Sequence, residues 1–237
     1  MRRVEEHMGM PISIDIPGTK SQRIFDELFA LCEDTDNRFS PYKNTSELQK
    51  LWRGQIKERD VSDDMKHIIA ECERYEQLTD RYFSARFAGT FNPTGYVKAW
   101  AIERMTNYLA EKQIKTYLIN AGGDIVAHSD AGHNWNIAIA NPLDTNQPIA
   151  TLKVDNIAVA TSGLYERGAH IYDPHTKQPV DDFASVTIFG PDITTADVFA
   201  TAVFAMGDKA GNFIAKQRNY QAIIIDKAGN LVTTAKT

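Results

Sequence analysis

Residues 158–174 read AVATSGLYERGAHIYDP, and this stretch governs the reading of the rest of the chain. Its apolar head, Ile157-Ala158-Val159-Ala160, reads as a buried strand. The strand is expected to break at Thr161-Ser162-Gly163, where small side chains and a permissive glycine let backbone approach a ligand closely. The tail, His170-Ile171-Tyr172-Asp173-Pro174, sets an imidazole three residues before a carboxylate that the proline holds extended or in a turn. Strands that run into polar loops bearing His and Asp are a frequent seat of chemistry. The alternative reading is a hairpin with a solvated tip.

Working outward, the first half of the chain reads mainly as helix. Met8–Ile16 alternates as a first strand, turned by Pro17-Gly18. Ser21–Glu33 carries a helical stripe of Ile24, Phe25, Leu28, Phe29 and Cys32. Asn37–Tyr42 is expected to be a polar loop with two aromatics, and Asn44–Trp52 a short helix. Ser62 is expected to cap a helix to Leu78 with Met65, Ile68, Ile69, Cys72 and Tyr75 inward. Arg86–Gly95 reads as a glycine-broken loop or short strand, and Tyr96–Lys112 as a helix with Val97, Trp100, Ala101, Met105 and Leu109 toward the core. The second half reads as strands at Thr116–Ile119, Ile125–Ala127, Trp135–Ala140, Ile149–Val154, Ile157–Ala160 and Ser185–Phe189. A helix follows at Thr194–Met206, and a closing hairpin turns at Ala228-Gly229. Helices first and strands later make an α+β pattern, read as a single domain over residues 1–237.

The 237 residues carry a formal net charge of -5, with 43% hydrophobic and 24% charged residues. A globular core is expected. The acidic balance excludes a general nucleic-acid binder, which needs a basic face, but not a single nucleotide held locally. The start, MRRVEEHMGMPISIDIPG, lacks the apolar run of a secretory signal, and no stretch is long enough to span a bilayer, so neither leader nor anchor is expected. Cys32 and Cys72 read as two reduced core residues of a cytoplasmic protein.

Several motifs carry potential chemistry, each with a plainer alternative. Asp197 and Thr201, four apart, point from one helix face and suit Mg²⁺. Alternatively, Thr194-x-x-Asp197 is a capping box and Thr201 bonds back to the preceding turn. Asn120-Ala-Gly-Gly-Asp124 follows a strand and either cradles a phosphate or ring edge or forms a hairpin turn. Lys98 either bridges to a phosphate or carboxylate or is solvated. Phe39 and Tyr42 either stack on a planar ring or cover the core edge. His170 is either a general base or a polar strand end.

The order of these elements resembles the ApbE family of FAD-dependent flavin transferases over nearly the whole chain. The elements are Met8-Gly9-Met10, Phe39-Ser40-x-Tyr42 with Ser46-Glu47-Leu48, Asn92-x-x-Gly95-x-x-Lys98, Asn120-Ala-Gly-Gly-Asp124, Ala158 to Gly163 with His170-Ile-x-Asp-Pro174, and Ala196-Asp-x-x-Ala-Thr201 with Met206-Gly207. The resemblance implies an ApbE-like, T-fold-related arrangement of antiparallel strands with packed helices. It implies that FAD is split with Mg²⁺, FMN passes to a threonine hydroxyl on an acceptor protein, and AMP leaves. Some relatives hydrolyse FAD instead, so an FAD pyrophosphatase is the enzymatic alternative and a non-catalytic FAD-binding protein the other.

The resemblance also implies site residues. Asp197 and Thr201 match the metal ligands, and Val97 stands where an alanine carbonyl binds the metal. His170 matches a histidine proposed as base. Met8, Tyr42, Asn120, Gly122, Gly123 and Asp124 fall where the family contacts flavin or nucleotide, with Asn92, Lys98, Thr161, Ser162 and Gly163 as further cofactor-binding positions. The chain departs from the family at Asn92, usually aspartate, at Ala99, usually glycine, and at Met10, usually threonine. A longer family segment is reduced here to about Tyr82–Thr94.

Overall fold

Two strands, β1 (Arg2–His7) and β2 (Met10–Asp15), open the chain. Four helices follow: α1 (Gln22–Phe39), α2 (Glu47–Trp52), α3 (Asp63–Leu78) and α4 (Thr94–Glu111). Then come β3 (Tyr117–Ala121), β4 (Asp124–His128), β5 (Trp135–Asn141), β6 (Asp144–Val154), β7 (Ile157–Gly163) and β8 (Phe183–Gly190). The chain closes with α5 (Ile193–Met206), α6 (Ala210–Ile214), β9 (Gln221–Asp226) and β10 (Leu231–Thr233). This computed structural model describes residues 1–86, 89–130, 132–163 and 171–233.

Among the described residues the strands form an eight-stranded antiparallel sheet in the order β1-β2-β3-β4-β7-β8-β9-β10 and a separate β5–β6 hairpin. The α+β expectation therefore holds. Apolar side chains on one sheet face, including Ile12, Ile14, Ile119, Ala160 and Val186, join the core formed with the helices. The opposite face contributes Ala127, Val159 and Phe189, which pack on Trp135, Ile137 and Ile139 of the β5–β6 hairpin. The hairpin thus shields a second apolar surface that a one-sided sheet would leave wet.

Ser62 caps α3 as expected, its side chain accepting from the Met65 N–H at 3.2 Å, and all five inward residues are buried. Cys32 and Cys72 are free and buried, and desolvation pushes both thiols up to about 12.

Four expectations are corrected. The first strand is a hairpin: β1 is charged, so alternation of apolar residues does not reveal it, and the turn falls at Met8-Gly9, both with positive φ. Helix α1 runs on through Asn37 to Phe39, because Phe39 is buried edge-on against Trp100 with ring centroids 5.3 Å apart. Extended Ser40, ahead of Pro41, then ends it. Strand β7 does not break after Ala160. Thr161, Ser162 and Gly163 pair with Thr187, Val186 and Ser185, and the Thr161 and Thr187 hydroxyls meet at 2.9 Å.

The fourth correction concerns α5. Its N-cap is Asp192, whose Oδ1 accepts from the Thr195 N–H at 2.8 Å and the Thr194 hydroxyl at 2.9 Å, so Thr194-x-x-Asp197 is not a capping box. Tyr220 donates its hydroxyl to Asp192 Oδ2. Burial pushes the Asp192 carboxyl up, but the bonds from Tyr220, Thr195 and Thr194 outweigh it and hold it below its ordinary value. Such a group stabilises the fold above its unfolded pKa, about 3.9, and loses that contribution as pH falls through its lower folded value. Asp192→Ala is expected to cost about 1–2 kcal/mol in urea unfolding at pH 7. The gap from wild type should narrow as pH drops below about 4.

Candidate functional site

The β3–β4 connection is a two-residue turn, Gly122 and Gly123, with φ of 55° and 94°. Glycine is required here for more than its φ. A Cβ on Gly122 would lie 2.8 Å from the Met10 Sδ of the neighbouring strand. The Gly122 N–H donates to Pro11 O at 3.2 Å and the Gly123 N–H to Asn120 Oδ1 at 3.0 Å. This turn fixes Asp124 as the first residue of β4, paired with Ala121 and beside the middle of β7. The Thr161 N–H donates to Asp124 Oδ1 at 3.3 Å.

Asp124 is wholly buried, and its Oδ2 lies 2.6 Å from Lys98 Nζ on α4. The same ammonium lies 3.9 Å from Asp197 Oδ1 on α5, where Asp197 is 5% exposed. One turn further along α5, the Thr201 hydroxyl meets the Ser162 hydroxyl of β7 at 3.3 Å. Thr201 is therefore directed at the sheet. Burial pushes the Asp124 carboxyl up, and the adjacent Lys98 ammonium and the Thr161 N–H pull against that shift.

Four elements, α4, β4, β7 and α5, thus deliver two buried carboxylates, one ammonium and two hydroxyls to one place. Lys98, Asp124, Thr161, Ser162, Asp197 and Thr201 are brought together. Val97 is buried and directly precedes Lys98, and Gly163 is buried at the end of β7. Met8 sits in the β1–β2 turn and packs partly on the core. Tyr42 and Asn92 form local contacts instead. Tyr42 is 91% exposed, and Asn92 accepts from the Thr94 N–H at 3.2 Å within its own loop. His170 lies outside the described residues.

The placement of Asp124 was foreseeable only in part. It occupies the helix-facing position of an alternating strand, Asp124-Ile125-Val126, where an apolar side chain is the norm. Thr187 was missed altogether, since a threonine inside a β-rich run gives no sign of a cross-strand partner.

The donor set fits a hard divalent cation. Among the described residues every candidate donor is oxygen, and two of the side chains are buried carboxylates. Among the described residues, no three His, Cys, Asp or Glu side chains gather at metal-binding spacing. Mg²⁺ suits such a site, because it takes one or two carboxylates and completes its shell with water and substrate phosphates.

Solved structures share this architecture over nearly the whole chain. The structure of the Vibrio cholerae flavin transferase ApbE superposes with a TM-score of 0.79 at 23% identity, covering 100% of this chain and 97% of that one. An ApbE protein from Thermotoga maritima gives 0.86 at 19% identity, covering 98% and 96%. In sequence, an FAD:protein FMN transferase of Klebsiella pneumoniae is 28% identical over 205 residues, 79% of this chain but only 64% of the relative's length. One from Haemophilus influenzae is 22% identical over 277 residues, 89% of this chain and 80% of the relative. The family model described as "ApbE family" matches residues 8–93 and 89–224, and with that coverage the chain belongs to the ApbE family.

Proposed function

We propose that this chain is an Mg²⁺-dependent FAD:protein FMN transferase that acts as one unit over its length. The observation that carries the reading is the buried Lys98–Asp124–Asp197 cluster beside the Ser162 and Thr201 hydroxyls. A pyrophosphate substrate needs positive charge and hydrogen-bond donors at its bridging oxygens, and a cation held by buried carboxylates meets that need. The names of the relatives supply FAD and a protein acceptor.

The acceptor is a threonine side chain. Its Oγ attacks the FMN phosphorus of FAD, the P–O bond to the AMP phosphate breaks, and AMP departs as the anion. The threonine proton passes to an imidazole nitrogen of His170, a role carried by the family resemblance. Asp197, Thr201, Asp124 and the Val97 carbonyl would hold Mg²⁺, which when bound supplies charge neutralisation at the diphosphate. Lys98 offers an ammonium to phosphate oxygens. The Gly122-Gly123 turn offers close backbone, and Asn120 locks that turn through the Gly123 N–H. Tyr42 is available to stack on a flavin or adenine ring, being exposed on its loop.

No helix among the described residues is long and apolar enough to cross a membrane. The free, buried Cys32 and Cys72 support a cytoplasmic setting.

The test is incubation with FAD, MgCl₂ and an acceptor carrying a threonine site. Flavin should remain on the acceptor after denaturing electrophoresis, with one AMP released per FMN attached. AMP and free FMN in equal amounts with no labelled acceptor would identify a pyrophosphatase. Bound, intact FAD would identify a carrier.

A further inference from the structure

The loop between α1 and α2 exposes one aromatic ring and ties down the backbone that carries it. Tyr42 is 91% exposed, against 57% for Leu143, the next most exposed large apolar side chain among the described residues. A single exposed aromatic is ordinary on a protein surface. What sets Tyr42 apart is the chain around it.

Both polar groups of the Pro41–Tyr42 peptide are bonded. The Tyr42 N–H donates to Ser40 Oγ at 3.2 Å, and the Pro41 carbonyl accepts from the side-chain amide of Gln49 on α2. The proline ring restricts φ immediately before. To either side, the Ser46 hydroxyl donates to the Ser40 carbonyl at 2.8 Å and the Ser46 N–H to the Lys43 carbonyl at 2.9 Å. Ser46 and Leu48 are fully buried, so these bonds stand on a packed base. The Lys43 ammonium reaches back to Asp36 and Asn37 of α1, at 2.5 and 2.7 Å.

Helix capping explains only part of this. Ser46 caps α2, its Oγ accepting from the Gln49 N–H at 3.0 Å, and Ser40 ends α1. The Gln49 side-chain amide serves neither end, because the Pro41 carbonyl belongs to no helix. Ordering a glutamine costs side-chain entropy that neither helix recovers. What that order does fix is the direction in which Tyr42 leaves the loop.

We propose that Gln49 is a positioning residue: through the Pro41 carbonyl it holds the Tyr42 ring as a preformed platform on which a planar ring of FAD stacks. This rests on the flavin-transferase reading and adds to it the residue that aims the platform. A ring on an already ordered backbone loses little freedom when a ligand lands on it, so more of the stacking energy remains as affinity. FAD offers two such rings, flavin and adenine, and FMN and AMP carry one each.

The test is calorimetry in saturating MgCl₂ on wild type, Tyr42→Ala, Gln49→Met and the double variant. Methionine keeps the length of glutamine and has no proton to donate. Tyr42→Ala should weaken FAD binding about tenfold. Gln49→Met should weaken it about fivefold. The double variant should match Tyr42→Ala, because without a ring the clamp has nothing to aim. With the halves of FAD as separate probes, the losses should recur with FMN if flavin stacks on Tyr42, and with AMP if adenine does; recurrence with neither overturns the platform. A Gln49→Met loss undiminished in the Tyr42→Ala background would mark a merely structural glutamine and overturn the proposal. Equal FAD affinity in wild type and Gln49→Met would do the same. If either result comes while wild type still releases AMP from FAD, the transferase reading stands and the platform alone falls. Absence of FAD binding to wild type removes both.

Discussion

Asp197→Asn is expected to cut Mg²⁺-dependent AMP release from FAD by on the order of 10³-fold, the scale of losing one group that stabilises developing charge. Asparagine keeps the shape of the side chain, so packing around α5 is preserved. The substitution also removes a buried negative charge that lies 3.9 Å from the Lys98 ammonium. The thermal midpoint should therefore change little while activity collapses. A variant that lost both would have lost the fold, and one that kept full activity would remove Asp197 from the chemistry. Circular dichroism and an AMP assay on the same preparation separate these results.

Gly190→Ala is expected to be the most damaging single methyl in the sheet. A Cβ at this position would fall 2.1 Å from both Cδ1 and Cε1 of Tyr220. That ring cannot step aside cheaply. It packs edge-on to Phe199 at 5.1 Å between centroids, and its hydroxyl is committed to the Asp192 cap. Overpacking of this kind costs about 3 kcal/mol. For a chain of this size that is a drop in Tm of roughly 6–12 °C. Because the damage passes through one ring, it should be strongly non-additive. In a Tyr220→Leu background the added cost of Gly190→Ala should shrink by more than half, read as a double-mutant cycle in urea. Equal costs in both backgrounds would mean that the strain lies elsewhere.

Much of the fold was legible because its signals are local. The Met65-Ile68-Ile69-Cys72-Tyr75 stripe and the Ser62 cap specify α3 without help from the rest of the chain. The Gly122-Gly123 pair specifies a tight turn, and Ala228-Gly229 specifies the final hairpin. What escaped depends on partners distant in sequence. The last turns of α1 are held by Phe39 on Trp100, sixty-odd residues away, and by Arg104 bonds to Asp34 and Thr35 at 2.8 Å. Strand β1 is charged because it is a sheet edge, and charge at an edge hides it from any search for apolar alternation.

The site followed the same rule. Asp197 and Thr201 declare themselves by helical spacing, and the Asp192 cap removes the competing explanation for the Thr194-to-Asp197 spacing. That Lys98 and Asp124 belong to the same cluster is a tertiary fact, since it depends on α5 packing against both α4 and β4. Short-range pattern offers no route to it, which is why Lys98 read equally well as a solvated helix residue.

The central claim is tested most directly by following FAD with the wild-type chain, a threonine-bearing acceptor and either MgCl₂ or EDTA. With MgCl₂, AMP should accumulate in step with FMN attached to the acceptor, and EDTA should stop both. FAD recovered intact after prolonged incubation with MgCl₂ and acceptor, or AMP released equally well in EDTA, would contradict the account.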